Sequence, residues 1–354
     1  MKRLGDGSML LPAHLYSWRN PAWAAKLGFM KGTDWPILVG PWHGEIGFEV
    51  LYWIPFIQTL MRAGIAPERI IPIARGGSAS WYGVPAGLEL YAMRTPQDIR
   101  VERRIQMAKT GLLKQEARSD FDAGVLRDAA ETLKLGQKYH VVDPAWMFHR
   151  LAPFWSGHRG AEWLAPRTHY QRLMAPSVPD AVKLPESYIA MRFYSRRTFP
   201  IKDKHVYPFM RAVIEQCVQT HDVVLLDTDL SLDDHADLTR EVSGKRIHHL
   251  SEYVNLLPEQ NLALSSAILQ RATGFIGTYG GFAQLALRLG TPSVSFFTEW
   301  HATSLAHKAL ADLLSVRTGI PAYVLRVGDL PMLHTVLPEA TFQVKKKPME
   351  LQPA

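Results

Sequence analysis

Between Ile37 and Leu60 the chain reads ILVGPWHGEIGFEVLYWIPFIQTL. A short apolar triplet runs into a turn carrying His43, Glu45, two glycines and Glu49, and then into a bulky apolar run. Packing alone requires neither an imidazole nor two carboxylates there. A carboxylate partly withdrawn from water at the end of a buried strand is a base suited to taking a proton from a hydroxyl group. Glu45, on the turn, is the first candidate; Glu49, one turn into the following helix, is the second; His43, at the strand end, is the third. The plainer alternative is that both acids only complement the positive end of a helix dipole.

A second set of residues suits anions. In AMRFYSRRTFPIKDKH (190–205), Arg192 closes an apolar run, and Arg196, Arg197, Lys202 and Lys204 follow in a loop. Guanidinium forks match the paired oxygens of a phosphate. Further on, Thr278, Tyr279, Gly280 and Gly281 sit between a short apolar strand and a helix, with Gln284 one turn into that helix. Two glycines at a helix start let a phosphate approach free backbone N–H groups, with the dipole assisting. The glycines would also serve a merely tight turn.

Two smaller signals accompany these. Asp227–Thr228–Asp229 follows the apolar VVLL. Paired carboxylates suit Mg²⁺ or Mn²⁺, but a three-residue match arises readily by chance; Asp227 equally suits a ribose, a base or a helix cap, and no metal is assigned. In the RGGSASWYG loop, Arg75 can meet an acidic acceptor group, and Trp81 and Tyr82 can offer aromatic faces to a sugar. Most aromatic residues around the first turn, Trp53 above all, suit core packing.

The elements that must position these residues alternate. Ile37–Val39 reads as a buried strand, Glu49–Ala63 as a helix, and Ile70–Ala74 as the next strand, which makes a right-handed βαβ unit. Residues 97–136 read as mostly helical, and His140–Asp143 as a short apolar piece. A second series begins at Tyr188: strand Tyr188–Phe193, helix Tyr207–Gln219, strand Val223–Leu226, helix Asn261–Arg271, strand Gly274–Gly277, helix Phe282–Leu289 and strand Ser293–Phe297. Between the series, residues 165–187 carry four prolines and few apolar repeats. The sequence therefore predicts an α/β fold of two Rossmann-like domains facing a cleft: 1–170 with an N-terminal extension, a linker over 171–187, 188–325, and a tail over 326–354. Residues 1–34 show no clear period and are expected to cover another surface.

Composition narrows the classes. At 354 residues the chain is long enough for two ordinary domains. Its apolar runs fall short of the roughly 20 residues that span a bilayer, and the basic start lacks the apolar core of a signal peptide. One cysteine, Cys217, excludes an internal disulfide framework, and its helical setting reads as a buried, inert thiol. The net charge of +7 points to an anionic partner, while no nucleic-acid motif is present. The expectation is a cytoplasmic protein; Lys345, Lys346 and Lys347 read most simply as a solvated terminus, with peripheral contact at the inner membrane face as the alternative.

The segment 265–297, SSAILQRATGFIGTYGGFAQLALRLGTPSVSFF, resembles the donor-binding half of glycosyltransferases of the GT-B fold, in its Gly-rich turn opening a helix and its Gly-Thr-Pro before the next strand. GEIGFEVLYWIP resembles the corresponding first-domain turn of heptosyltransferase-like members, its spacing departing by one residue according to which acid is matched. The arginines after Tyr188–Phe193 resemble those of fucosyltransferase-like members. The resemblance implies a metal-independent transfer of a sugar from a nucleotide sugar to a saccharide or lipid-linked acceptor, with the nucleotide sugar as co-substrate and no resident cofactor. It implies donor binding through Arg192, Arg196, Arg197, Lys202, Asp227 and the 278–281 turn, with Glu45 as base. Nucleotide-sugar epimerases and polysaccharide pyruvyl transferases share the architecture and stand as alternatives, as does a non-catalytic saccharide- or nucleotide-binding protein.

Overall fold

The computed structural model describes residues 21–110, 115–180, 182–196, 198–200, 206–228, 230, 232, 236–253, 255–300 and 302–327. Arg197, Lys202, Lys204, Asp229 and the three tail lysines lie outside these residues. The chain divides into two compact units, Met1–Met174 with Pro258–Ala263, and Ala175–Leu257 with Leu264–Ala354. Each is built on a parallel sheet.

In the first unit, strands β1 (Ile37–Val39), β2 (Ile70–Ala74), β3 (Leu88–Glu89) and β4 (His140–Val142) pair in the order β3-β2-β1-β4. All three pairings are parallel. Chain order therefore reverses direction between β1 and β4, the kind of switch point beyond which open α/β sheets bind ligands. Ile37, Leu38 and Val39 are all buried, so the strand reads as a continuous apolar run. The helix after β1 is interrupted: α-helical turns at Ile46–Phe48 and Ile54–Arg62 flank a π-helical segment, Glu49–Trp53. Pro55 has no N–H to donate to the carbonyl of Leu51. That carbonyl instead accepts a hydrogen bond from the Tyr170 hydroxyl at 2.9 Å. Residues 21–31, which showed no period, form a helix, Pro21–Lys31. Trp23 of this helix packs 5.0 Å from Phe56 and 5.3 Å from Trp146.

The second unit carries β5 (Tyr188–Arg192), β7 (Asp222–Leu225), β9 (Ile247–His249), β10 (Gly274–Thr278), β11 (Ser293–Phe297) and β12 (Ala322–Arg326). They pair in the order β12-β11-β10-β5-β7-β9, all parallel. Counted within the unit this is 6-5-4-1-2-3, the doubly wound order of dinucleotide-binding folds, with its switch point between β5 and β10. A small antiparallel pair, β6 (Tyr194–Ser195) with β8 (Ala236–Asp237), sits just past the end of β5. The core on one face joins Ile189, Met191 and Phe193 to Phe209, Met210, Val213 and Ile214 of the helix Val206–Cys217. Cys217 is buried in that cluster, and burial pushes its thiol up to about 12, which makes it an inert core residue.

Candidate functional site

The strongest arrangement lies at the switch point of the second unit. β5 and β10 pair with Gly277 opposite Arg192, and a Cβ on Gly277 would overlap the Arg192 carbonyl. β10 then turns through Tyr279 and Gly280 into the helix Gly281–Leu289. Nη1 of Arg196 donates to the Tyr279 carbonyl at 3.3 Å. A Cβ on Gly280 would overlap both the Tyr194 hydroxyl and that same guanidinium nitrogen. A cation, a phenol and a helix start with its outward N–H groups therefore converge on one glycine. That combination favours a negatively charged group.

Other residues predicted for this site have different work. The Thr278 hydroxyl is turned inward, donating to the Tyr194 carbonyl at 3.1 Å and accepting from the Tyr194 N–H at 3.1 Å; it staples β10 to β6 and is not a ligand donor. Tyr279 is buried, its ring edge-on to Trp300 at 5.7 Å, and burial raises its hydroxyl above the ordinary phenol range. Gln284 is also buried. Arg192 is turned onto Asp237, with Nε to Oδ1 at 3.1 Å, and its guanidinium lies over the rings of Phe282 and Tyr194 at 4.5 and 5.7 Å. It organises the end of the sheet, where sequence reasoning had placed it on a phosphate.

Asp227 is 3% exposed. One of its oxygens accepts from the Thr239 hydroxyl, and the other has no partner. Burial, and then the charge of Asp237, push its carboxyl up to about 7. Asp237 itself accepts from Arg192 and from the Thr228 N–H at 3.2 Å. Arg192 is bonded to Asp237, and Asp227 beside that carboxylate holds a proton more readily than a second full charge. Among the described residues no group of three or more His, Cys, Asp or Glu could hold a metal ion.

In the first unit the predicted residues separate into two groups. Glu49 is fully buried: Oε2 takes Nη1 of Arg75 at 3.0 Å, and Oε1 takes the Tyr82 hydroxyl at 3.0 Å and the Ser78 hydroxyl at 3.2 Å. Burial raises its carboxyl, and the Arg75 charge only partly opposes this. It cannot meet a substrate hydroxyl, so the expectation of Glu49 as base is corrected: it is an internal anchor. Arg75, 8% exposed and paired with Glu49, is likewise structural. Trp81 and Tyr82 are buried, so neither forms an aromatic platform for an acceptor. The Gly76 and Gly77 N–H groups in the same loop donate to Glu89 at 2.8 and 2.7 Å.

The second group lies beyond the ends of β1 and β4. Nε2 of His43 lies 3.0 Å from Oδ1 of Asp122, and its main-chain N–H donates to Gln115 Oε1 at 3.2 Å. Gln115 in turn donates to the Pro41 carbonyl at 2.8 Å. Asp122 is the N3 residue of a capping box with Ser119. Burial alone would raise its carboxyl, but His43 and the Ser119 bonds outweigh burial and hold it below the ordinary range. His43 is buried and Nδ1 has no partner; the ring is seated by an acid that sequence reasoning did not pair with it. Asp143, following β4, is pushed up by burial, with Arg118 3.9 Å away opposing. Glu45 stands half-buried at the N-cap of Ile46–Phe48, in extended backbone (φ −70°, ψ 148°), and its side chain does not cap the helix. Of the three candidate bases it alone keeps partial exposure.

Tyr194, Asp122 and Asp237 were not legible as site residues. Ser119-x-x-Asp122 announces a helix start, but nothing local marks its partner 79 residues away.

These features define the class of each unit: a parallel, doubly wound sheet with polar residues gathered at its switch point. No family model matches the chain, and no curated protein does. Solved structures give looser likenesses. A glycosyl transferase of family 9 from Veillonella parvula matches with a TM-score of 0.44 at 11% identity, over 86% of this chain and 90% of that one. The UDP-GlcNAc 2-epimerase of Methanocaldococcus jannaschii matches with 0.40 at 12%, over 88% and 93%. The iron-containing dodecameric glycosyltransferase TibC of enterotoxigenic E. coli matches with 0.39 at 14%, over 75% of this chain and 59% of TibC's length.

Proposed function

We propose that the protein is a glycosyltransferase that moves a sugar from a nucleotide sugar to the hydroxyl of a saccharide or lipid-linked acceptor. The observation that carries this reading is the convergence of Arg196, the Tyr194 hydroxyl and the start of Gly281–Leu289 on Gly280, at the switch point of a doubly wound sheet. That corner suits the diphosphate of a nucleotide sugar, which must be gripped and whose charge must be neutralised as it leaves.

In the proposed reaction Glu45 accepts the proton of the acceptor hydroxyl. The acceptor oxygen bonds to the anomeric carbon as the bond from that carbon to the diphosphate oxygen breaks, with inversion. The electron pair leaves with the nucleoside diphosphate, which is stabilised by Arg196 and the helix dipole. Glu45 has the partial burial such a base needs.

A thermal-shift panel of UDP-, GDP-, CMP-, ADP- and dTDP-sugars tests the donor half, because a ligand of the native state raises its melting temperature by mass action. One class is expected to raise it in the native protein and not in Arg196→Ala. Glu45→Gln tests the base: donor binding is retained while turnover falls on the order of 10²- to 10⁴-fold. Equal turnover in Glu45→Gln would remove Glu45 from the reaction. A sugar epimerised at a ring carbon and formed without acceptor would replace transfer by epimerisation.

A further inference from the structure

Arg192 is held away from the part of phosphate ligand, and everything that holds it borders the corner around Gly280. It ends β5 opposite Gly277. Its Nε donates to Oδ1 of Asp237 at 3.1 Å, and the two side chains are only 12% and 8% exposed. Oδ2 of the same carboxylate accepts from the Thr228 N–H at 3.2 Å. A carboxylate held from both sides, with little water to compete, pins a guanidinium more firmly than a surface pair does.

The pinned guanidinium lies against two rings, 4.5 Å from the centroid of Phe282 and 5.7 Å from that of Tyr194. Both are within cation–π reach. Phe282 is in the first turn of the helix Gly281–Leu289. Tyr194 is in β6, directly opposite Asp237 of β8, and its hydroxyl is one of the two groups that a Cβ on Gly280 would overlap. One ion pair thus ties the end of the parallel sheet to the small antiparallel pair and to the start of the helix. The Thr278 hydroxyl fixes the backbone of Tyr194 through its N–H and its carbonyl, which leaves the ring as the part still to be held.

We propose that Arg192 and Asp237 are positioning residues for anion binding: without touching the ligand, they brace the Tyr194 ring so that its hydroxyl stands beside Arg196 at Gly280, where the diphosphate is received. An unbraced phenol would explore several rotamers, and a ligand would have to order it on binding. With the ring already clamped, that entropy is lost on folding instead, and more of the contact energy appears as affinity. The inference takes its ligand from the sugar-transfer reading above and adds to it the pair that shapes the donor corner. Inorganic pyrophosphate is the probe, because it carries the same anion without nucleoside or sugar.

Calorimetric titration of pyrophosphate into the full chain, well below its melting temperature, tests the brace in a double-mutant cycle of Asp237→Asn and Tyr194→Phe. Each single variant is expected to raise Kd about tenfold, and the double variant to bind no more weakly than Tyr194→Phe alone. The melting temperature separates this from damage to the fold: Asp237→Asn breaks a buried pair and should lower it equally in both backgrounds. Should Asp237→Asn fail to fold, Arg192→Lys takes its place in the cycle, keeping a cation beside Asp237 but losing the planar fork that lies on the rings. Unchanged affinity in the chosen variant, or the same loss of affinity with and without the Tyr194 hydroxyl, overturns the proposal. So does a native protein that does not bind pyrophosphate. The sugar-transfer reading fails separately: pyrophosphate binding that follows the cycle, in a protein that transfers no sugar from any nucleotide of the panel, keeps the brace and removes the transferase.

Discussion

Oε2 of Glu49 and Nη1 of Arg75 lie 3.0 Å apart in the core of the first unit, and the other carboxylate oxygen, Oε1, accepts from the hydroxyls of Ser78 and Tyr82. Removing one partner of a buried pair strands the other charge, at a cost of about 3–5 kcal/mol. Glu49→Ala is therefore expected to unfold at lower denaturant with Arg75 left uncompensated. Glu49→Leu combined with Arg75→Met is expected to recover most of the loss. Denaturant midpoints of the two variants decide this; a single variant as stable as the native protein would show that the pair contributes nothing.

The carboxyl of Asp227 is pushed up to about 7 by burial and by Asp237. In the unfolded chain it titrates near its ordinary value. Between these limits the folded state holds a proton that the unfolded state has released, so stability falls as pH rises and levels off above about 7. A shift of this size corresponds to at most about 4 kcal/mol. Asp227→Asn is expected to flatten the decline between pH 5 and 7 and to be the more stable form at pH 8. A native protein equally stable at pH 5 and pH 8 would contradict the shift.

Gly280 has no room for a side chain without displacing the Tyr194 hydroxyl and the Arg196 guanidinium. Both are the far ends of long side chains, so Gly280→Ala is expected to keep the fold and disturb the corner itself. The expected result is an unchanged melting temperature without ligand and a Kd for the nucleotide sugar raised about tenfold, the equivalent of one charge-assisted hydrogen bond. Calorimetric titration measures it.

Asp227 does not present its carboxylate to solvent: it is buried and bonded to Thr239. A divalent cation bridging this residue to a diphosphate is therefore not expected. Treatment with EDTA should leave the donor-induced rise in melting temperature unchanged. Loss of that rise, restored by Mn²⁺ or Mg²⁺, would return Asp227 to the diphosphate.

Much of the fold was legible because buried parallel strands announce themselves as apolar runs. Ser293–Phe297 and Asn261–Arg271 fall where the sequence placed them. The elements that went unread are edge strands and surface helices. Ile247–His249 has one apolar residue in three, and Leu88–Glu89 is only two residues long. The helix Ala302–Thr318 scatters polar residues among its leucines and alanines.

The site was legible by residue type more than by role. Arg196 and Gly280, which their chemistry marks in the sequence, are found together. Arg192, Glu49, Arg75, Trp81 and Tyr82 stand out on the same grounds, but each is held by a partner or by packing that sequence spacing does not reveal. Exposure decides between ligand and scaffold, and it is set by tertiary contacts.

The corner that unites Arg196 with Tyr279 joins residues 83 positions apart, and the strands behind it, β5 and β10, are first and fourth in their unit. Closing so long a loop comes at an entropic cost before any contact rewards it. The corner around Gly280 is therefore non-local in the strict sense: a cut between β9 and β10 would leave its arginine on one piece of chain and its two glycines on the other.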